Sequence, residues 1–170
     1  MNPEQATFLL NFLLPQVEEE AKATRRVIAA VPSDKSSYCP DPVSKSALDL
    51  AWHIASVDVW FLESIVKGAF EMEESPMPAE LKDTAALASW YDSNLAAGIQ
   101  KIKSLSGEQL AKSLPFFGME LPTVTYIQFL IKHSVHHRGQ LSAYLRAMGS
   151  KVPSIYGGSA DEPFQMPATA

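Results

Sequence analysis

The chain has 170 residues, 46% hydrophobic and 19% charged, with a net charge of −5 at pH 7, which suits one domain with a real hydrophobic core. An acidic surface repels phosphate backbones and argues against a nucleic-acid footprint. No apolar run approaches the roughly 20 residues of a membrane span, and Met1-Asn2-Pro3-Glu4-Gln5 lacks the basic-then-apolar order of a signal peptide, so a cytoplasmic location with no membrane contact is expected.

Four segments carry helical periodicity. The first runs from about Pro3 to Ala30, with Phe8, Phe12, Val17, Ala21, Thr24 and Ile28 recurring at helical spacing; Pro3 suits its first turn, Pro15 interrupts it and Pro32 ends it. A loop to Val43 holds Pro32, Pro40, Pro42 and the single cysteine, Cys39, which reads as an incidental loop thiol. The second segment spans about Ser44 to Lys67, opened by a capping-box pattern, Ser46 with Asp49, and stopped by Gly68. Residues 69–82 form an acidic connection through Glu73 and Glu74. The third segment, about Asp83 to Leu105, carries Leu87, Trp90, Tyr91, Leu95 and Ile99. Residues 106–121 read as a long link whose most apolar part is Phe116-Phe117-Gly118, and no alternating strand pattern appears. The fourth helix starts near Pro122-Thr123 and stops at Met148-Gly149, and the last twenty or so residues read as an irregular tail. The expected fold is therefore all-α, a four-helix bundle forming a single domain over residues 1–170.

All four histidines fall on the second and fourth helices: His53, then His133, His136 and His137. Positions i and i+4 share a helix face, so His133 and His137 can offer two nitrogens to one ion, and His53 is the third candidate. Helix phase separates His137 from His136. At about 100° per residue from His133, the apolar face through Leu130, Leu141 and Met148 centres near +60° to +80°, His137 lies near +40° and His136 near −60°. His53 flanks the stripe of Leu50, Ile54, Val57, Phe61 and Ile65. An isolated histidine at an apolar margin is most often a packed side chain, whereas three converging on one interior are a metal-site pattern. His136 is left at the rim.

Several metal chemistries are excluded by neighbours. Zincin proteases need Glu directly after the first histidine, and here that residue is Ser134. Di-iron bundles need Glu-x-x-His pairs, but Leu50, Leu130 and Ser134 precede the three histidines by three. Structural zinc sites want four protein ligands, usually including cysteine. Three imidazoles leave positions open to water or substrate, as catalytic sites do. The donor set suits several divalent ions: zinc is the default on availability, with nickel or iron as alternatives.

The run His133-Ser-Val-His136-His137-Arg138-Gly139-Gln140-Leu141, with Tyr144-Leu145-Arg146 and Gly149 after it, resembles the signature of the DinB/YfiT-like superfamily. So do Leu50-Ala51-Trp52-His53-Ile54 and a tail of Val152-Pro153-Ser154-Ile155-Tyr156-Gly157 followed by Asp161-Glu162. The resemblance covers essentially the whole chain. It implies a four-helix bundle, often a homodimer, with a divalent ion held at the positions of His53, His133 and His137. Relatives include thiol-dependent S-transferases and an isomerase that uses low-molecular-weight thiols.

The expected function is a metal-dependent enzyme acting on a small molecule, with thiol transfer favoured by resemblance alone. Metal-dependent hydrolysis is an alternative, though no secure general base stands near the histidines. A non-catalytic metal- or ligand-binding protein is the reading from another class. Gln140 is expected to bond a ligand or a packing partner, Arg138 to serve a surface or interface, and Tyr126 and Tyr144 to pack in the core or reach the metal. Trp52, Trp60 and Trp90 read as core or interface residues, and Asp161 and Glu162 as solvated acids or tail contacts over a cleft.

Overall fold

The computed structural model describes residues 1–72, 75–81 and 83–164; Glu73 and Glu74, on which the acidic connection was read, lie outside them. Four long helices are present, α1 (Pro3–Ala29), α2 (Ala47–Lys67), α3 (Thr84–Lys103) and, last in the chain, α5 (Ile127–Ala147), with a short α4 (Gly107–Ala111) before a hairpin of β1 (Ser113–Phe116) and β2 (Met119–Pro122). The ends follow local chemistry. Asn2 and Gln5 form a reciprocal capping box at α1 with Pro3 in the first turn. Ser46 accepts from the Asp49 amide and its hydroxyl donates to the Asp49 carboxylate, and Gly68 ends α2 at φ 72. Helix α1 runs through Pro15 without a break. A 3₁₀ turn, Thr123–Tyr126, leads into α5.

Helix α1 packs against α3 and α5, and α2 packs against the same two. The order around the bundle is thus α1, α3, α2, α5. The two long connections, 30–46 and 104–126, join diagonal helices, and α2 lies beside α5. That adjacency brings His53 to the face of His133 and His137. One apolar cluster, drawn from all the long helices with Leu110, Leu114 and Val124, fills the centre. At the α2–α3 contact a Cβ on Gly98 would stand 2.8 Å from Leu62 Cδ1 and 3.0 Å from Leu62 Cβ, so glycine permits that approach. Among the described residues no helix is long and apolar enough to cross a membrane.

Two expectations need correction. Phe8 and Phe12 are 74% and 62% exposed, while Ala6, Leu10, Leu13, Leu14 and Val17 turn inward. The first half of α1 is apolar on two faces, and the leucine-rich one won the core. The link 106–121 is not free of strand: Ser113 pairs with Pro122 and Phe116 with Met119 in an antiparallel hairpin. Each strand has only four residues and carries a proline, Pro115 or Pro122, which weakens any reading of the run as strand. Its two-residue turn is Phe117-Gly118, with φ 46 and 76. Positive φ at both positions matches the twist of a hairpin and favours Asn-Gly; Phe in the left-handed region costs about 1–2 kcal/mol.

Candidate metal centre

Helix α2 carries His53 beside the buried stripe of Leu50, Ile54 and Phe61, and α5 carries His133 and His137 one turn apart. All three imidazoles are half-buried. His53 Nε2 lies 3.2 Å from His133 Nε2 and 3.3 Å from His137 Nε2. One nitrogen from each ring can be chosen so that all three lie within 4.8 Å of one another, a group that could hold a metal ion. His136 is exposed, its ring 4.7 Å from that of His137, and it stands on the rim as helix phase predicted.

The outer nitrogens are held. His133 Nδ1 donates to Asp58 Oδ1 at 3.2 Å, and His137 Nδ1 donates to Gln140 Oε1 at 2.6 Å. A neutral imidazole with its proton on Nδ1 presents a lone pair at Nε2. Both α5 histidines thus aim lone pairs at His53, whose single proton can answer only one of them. At least one pair of nitrogens must then meet lone pair to lone pair, which a cation between them would relieve. The separations fit: two nitrogens each ~2.0–2.1 Å from a tetrahedral ion stand roughly 3.3 Å apart. Burial, reinforced by the neighbouring His133, His137 and Lys45, lowers His53 to about 4. Burial also lowers His137, against the pull of Gln140. Neutral imidazoles near pH 7 are the form that binds metals.

Asp58 is the residue that sequence reasoning missed. It is fully buried and also accepts from the Tyr91 hydroxyl at 3.0 Å. Burial pushes its carboxyl up, opposed by hydrogen bonds from His133, Ser134 and Tyr91. Burial likewise raises Tyr91 well above 10, keeping it a donor. The signal was legible: Asp58 falls four residues after Ile54 and three before Phe61, an acid in phase with an apolar stripe.

A polar seam continues from Asp58 across the bundle. Ser134 Oγ lies 2.9 Å from Thr24 Oγ1, both buried, and Thr24 accepts from Arg138 at 3.1 Å. Arg138 is 1% exposed, which corrects the surface role expected for it. It donates to the Glu20 carbonyl at 3.0 Å and, at 2.5 Å each, to the Glu20 carboxylate and the Tyr156 hydroxyl. The tail beyond α5 is fastened there, with Arg26 on Glu162 and Arg146 on Asp161. Those two acids therefore anchor the tail to α1 and α5 and lie away from the cleft. Tyr126 is buried and donates to the Leu114 carbonyl, and Tyr144 packs on Tyr38, so neither serves the histidines.

The histidines open onto a cleft of about 760 Å³, lined by residues of α2, α3 and α5 and by the hairpin. Its wall is largely aromatic, with Trp60, Phe61, Phe116, Phe117 and Phe129. Trp90 also reaches it, while Trp52 is buried against Trp90.

The sequence model of the DinB family matches residues 5–165. The uncharacterized protein YrdA of Bacillus subtilis (strain 168) is 26% identical over 155 residues, covering 90% of this chain and 91% of its own. YjoA of the same strain is 27% identical over 136 residues, covering 78% of this chain and 86% of its own. Crystal structures give the same fold. A DinB-like protein from Bacillus cereus ATCC 10987 superposes with a TM-score of 0.72 at 24% identity, over 85% of this chain and 95% of that one. The B. subtilis DinB-like protein YjoA gives 0.67 at 23% identity, over 86% and 96%.

Proposed function

The chain belongs to the DinB family, and from that premise we propose that it holds a divalent ion on His53, His133 and His137 and acts on a small molecule in the adjoining cleft. The observation that carries this reading is the convergence of three Nε2 atoms at 3.2 and 3.3 Å, with the outer nitrogens of two rings already committed to Asp58 and Gln140. The donor set fits zinc first, nickel or iron second. When bound, such an ion supplies a Lewis acid that lowers the pKa of a thiol or water and holds it for attack.

The chain's own part is positional. Asp58 and Gln140 orient two imidazoles and set their tautomers. The half-buried setting of the three imidazoles strengthens electrostatic interactions there relative to open water. Asp58 has no exposure and its oxygens are engaged by His133 and Tyr91, so it cannot act as a general base on a molecule in the cleft. Transfer of a low-molecular-weight thiol to a small electrophile therefore suits the site better than hydrolysis, because a thiol deprotonates with less help than water.

Elemental analysis of protein purified without a nickel column tests the first step. One divalent ion per chain is expected, lost in His137→Ala and kept in His136→Ala. A wild-type chain that takes up neither zinc nor nickel would overturn the reading. Small thiols assayed against an electrophile should then give a rate that disappears on chelation and in His53→Ala. Equal rates with and without metal would reduce the protein to a binding role.

A further inference from the structure

The hairpin turn places a phenylalanine where the backbone disfavours one and where packing does little for it. Phe117 has φ 46 and is 74% exposed. The left-handed backbone there would suit Asn or Gly, and solvent exposure would suit a polar side chain. The neighbouring ring, Phe116, already packs against the core. Phe117 instead contributes to the lining of the cleft.

The rings behind it form a path to the histidines. Phe117 and Phe116 have centroids 4.5 Å apart, Phe116 and Phe61 5.9 Å, and Phe61 and His133 6.3 Å. Trp60 flanks the middle of that path, 5.9 Å from Phe116. Among the described residues the charged groups of the lining, Glu63 and Lys132, are exposed, and no cationic pair is there to grip a phosphate. The cleft of about 760 Å³ has the size of a site for a small organic molecule.

We propose that the cleft selects molecules with a flat aromatic body, which lies along the path from Phe117 to Phe61 with its donor or reacting end at the histidines, and that Phe117 determines this selectivity. The proposal rests on reading the cleft as the small-molecule site, and it does not require the ion. Aromatic rings pair favourably beyond the area they bury, so removing one ring should weaken an aromatic ligand by about three- to tenfold.

The test compares the wild type with Phe117→Asn, a change that suits the turn and should raise the melting temperature. Zinc-loaded protein is titrated calorimetrically with 2-naphthalenethiol and with ethanethiol, and metal-free protein with 2-naphthol. The naphthyl thiol should bind at least tenfold more tightly than ethanethiol. Phe117→Asn should lose three- to tenfold in affinity for both naphthyl probes and leave ethanethiol and zinc affinities unchanged. Naphthyl affinities equal in variant and wild type would overturn the proposal, as would no naphthyl preference in the wild type. Should the chain fail to take up zinc, the metal reading falls alone, and the 2-naphthol titration of the metal-free protein still decides this one.

Discussion

Asp58 accepts the Nδ1–H of His133 from a position with no exposure, and as a carboxylate it strengthens that imidazole as a metal ligand. Asp58→Asn keeps the shape and an acceptor but removes the charge. The variant is expected to fold, by circular dichroism, and to bind zinc about 10- to 100-fold more weakly. His53 gives a pH prediction. Its pKa in the folded chain is lowered to about 4, against about 6.5 in the unfolded chain. The unfolded chain therefore gains the proton first, so the stability owed to neutral His53 is present above about pH 6.5 and lost as pH falls toward 4. Thermal unfolding of the metal-free protein between pH 4 and 8 should show that loss, and His53→Gln should flatten it; identical profiles would contradict the assignment. At this scale the three histidines were legible because i, i+4 spacing and helix phase are local properties. Asp58 escaped notice and Arg138 was expected at a surface or interface, since their partners come from other helices and a charge on a helix reads by default as solvated.

The elements were legible wherever punctuation was strong: Pro3, Ser46, Gly68 and Gly149 bound helices as their chemistry requires. Legibility failed where two faces competed, as with Phe8 and Phe12 on α1, and where the element was four residues long, as in β1 and β2. No local pattern reveals how closely two helices approach. Gly98 marks such a place, because its missing Cβ lets Leu62 come within contact. Alanine favours a helix over glycine by about 1 kcal/mol, yet overpacking typically costs 1–3 kcal/mol. Leu62 is fully buried, and one of the clashing atoms is its Cβ, which no rotamer change moves. Gly98→Ala is thus expected to lower the melting temperature by up to about 8 °C, for a net loss of up to ~2 kcal/mol; a rise would show that α2 and α3 can part freely.

At the scale of the molecule, the tail is joined to the bundle by Arg138, whose side chain is 2% exposed, and Glu20, at 17%. Removing one partner of a buried pair leaves the other uncompensated, so Glu20→Ala should cost about 3 kcal/mol or more. Replacing both, as Glu20→Leu with Arg138→Met, should recover much of that loss, read by denaturant unfolding. No recovery would mean that the pair's contacts to Thr24 and Tyr156 matter more than its charge balance.

A seam of this kind also restricts how the helices can slide. Two apolar faces tolerate a shift of one turn, since another leucine arrives where the first one left. The pairs Thr24–Ser134, Asp58–Tyr91 and Asp58–His133 tie α1 to α5, α2 to α3 and α2 to α5. A 5.4 Å displacement of any one of these helices would strand hydroxyls or a carboxylate in the core without partners. The same groups that orient a histidine thereby make every misaligned packing of the bundle costly, and the three imidazoles meet only in the alignment that satisfies them all.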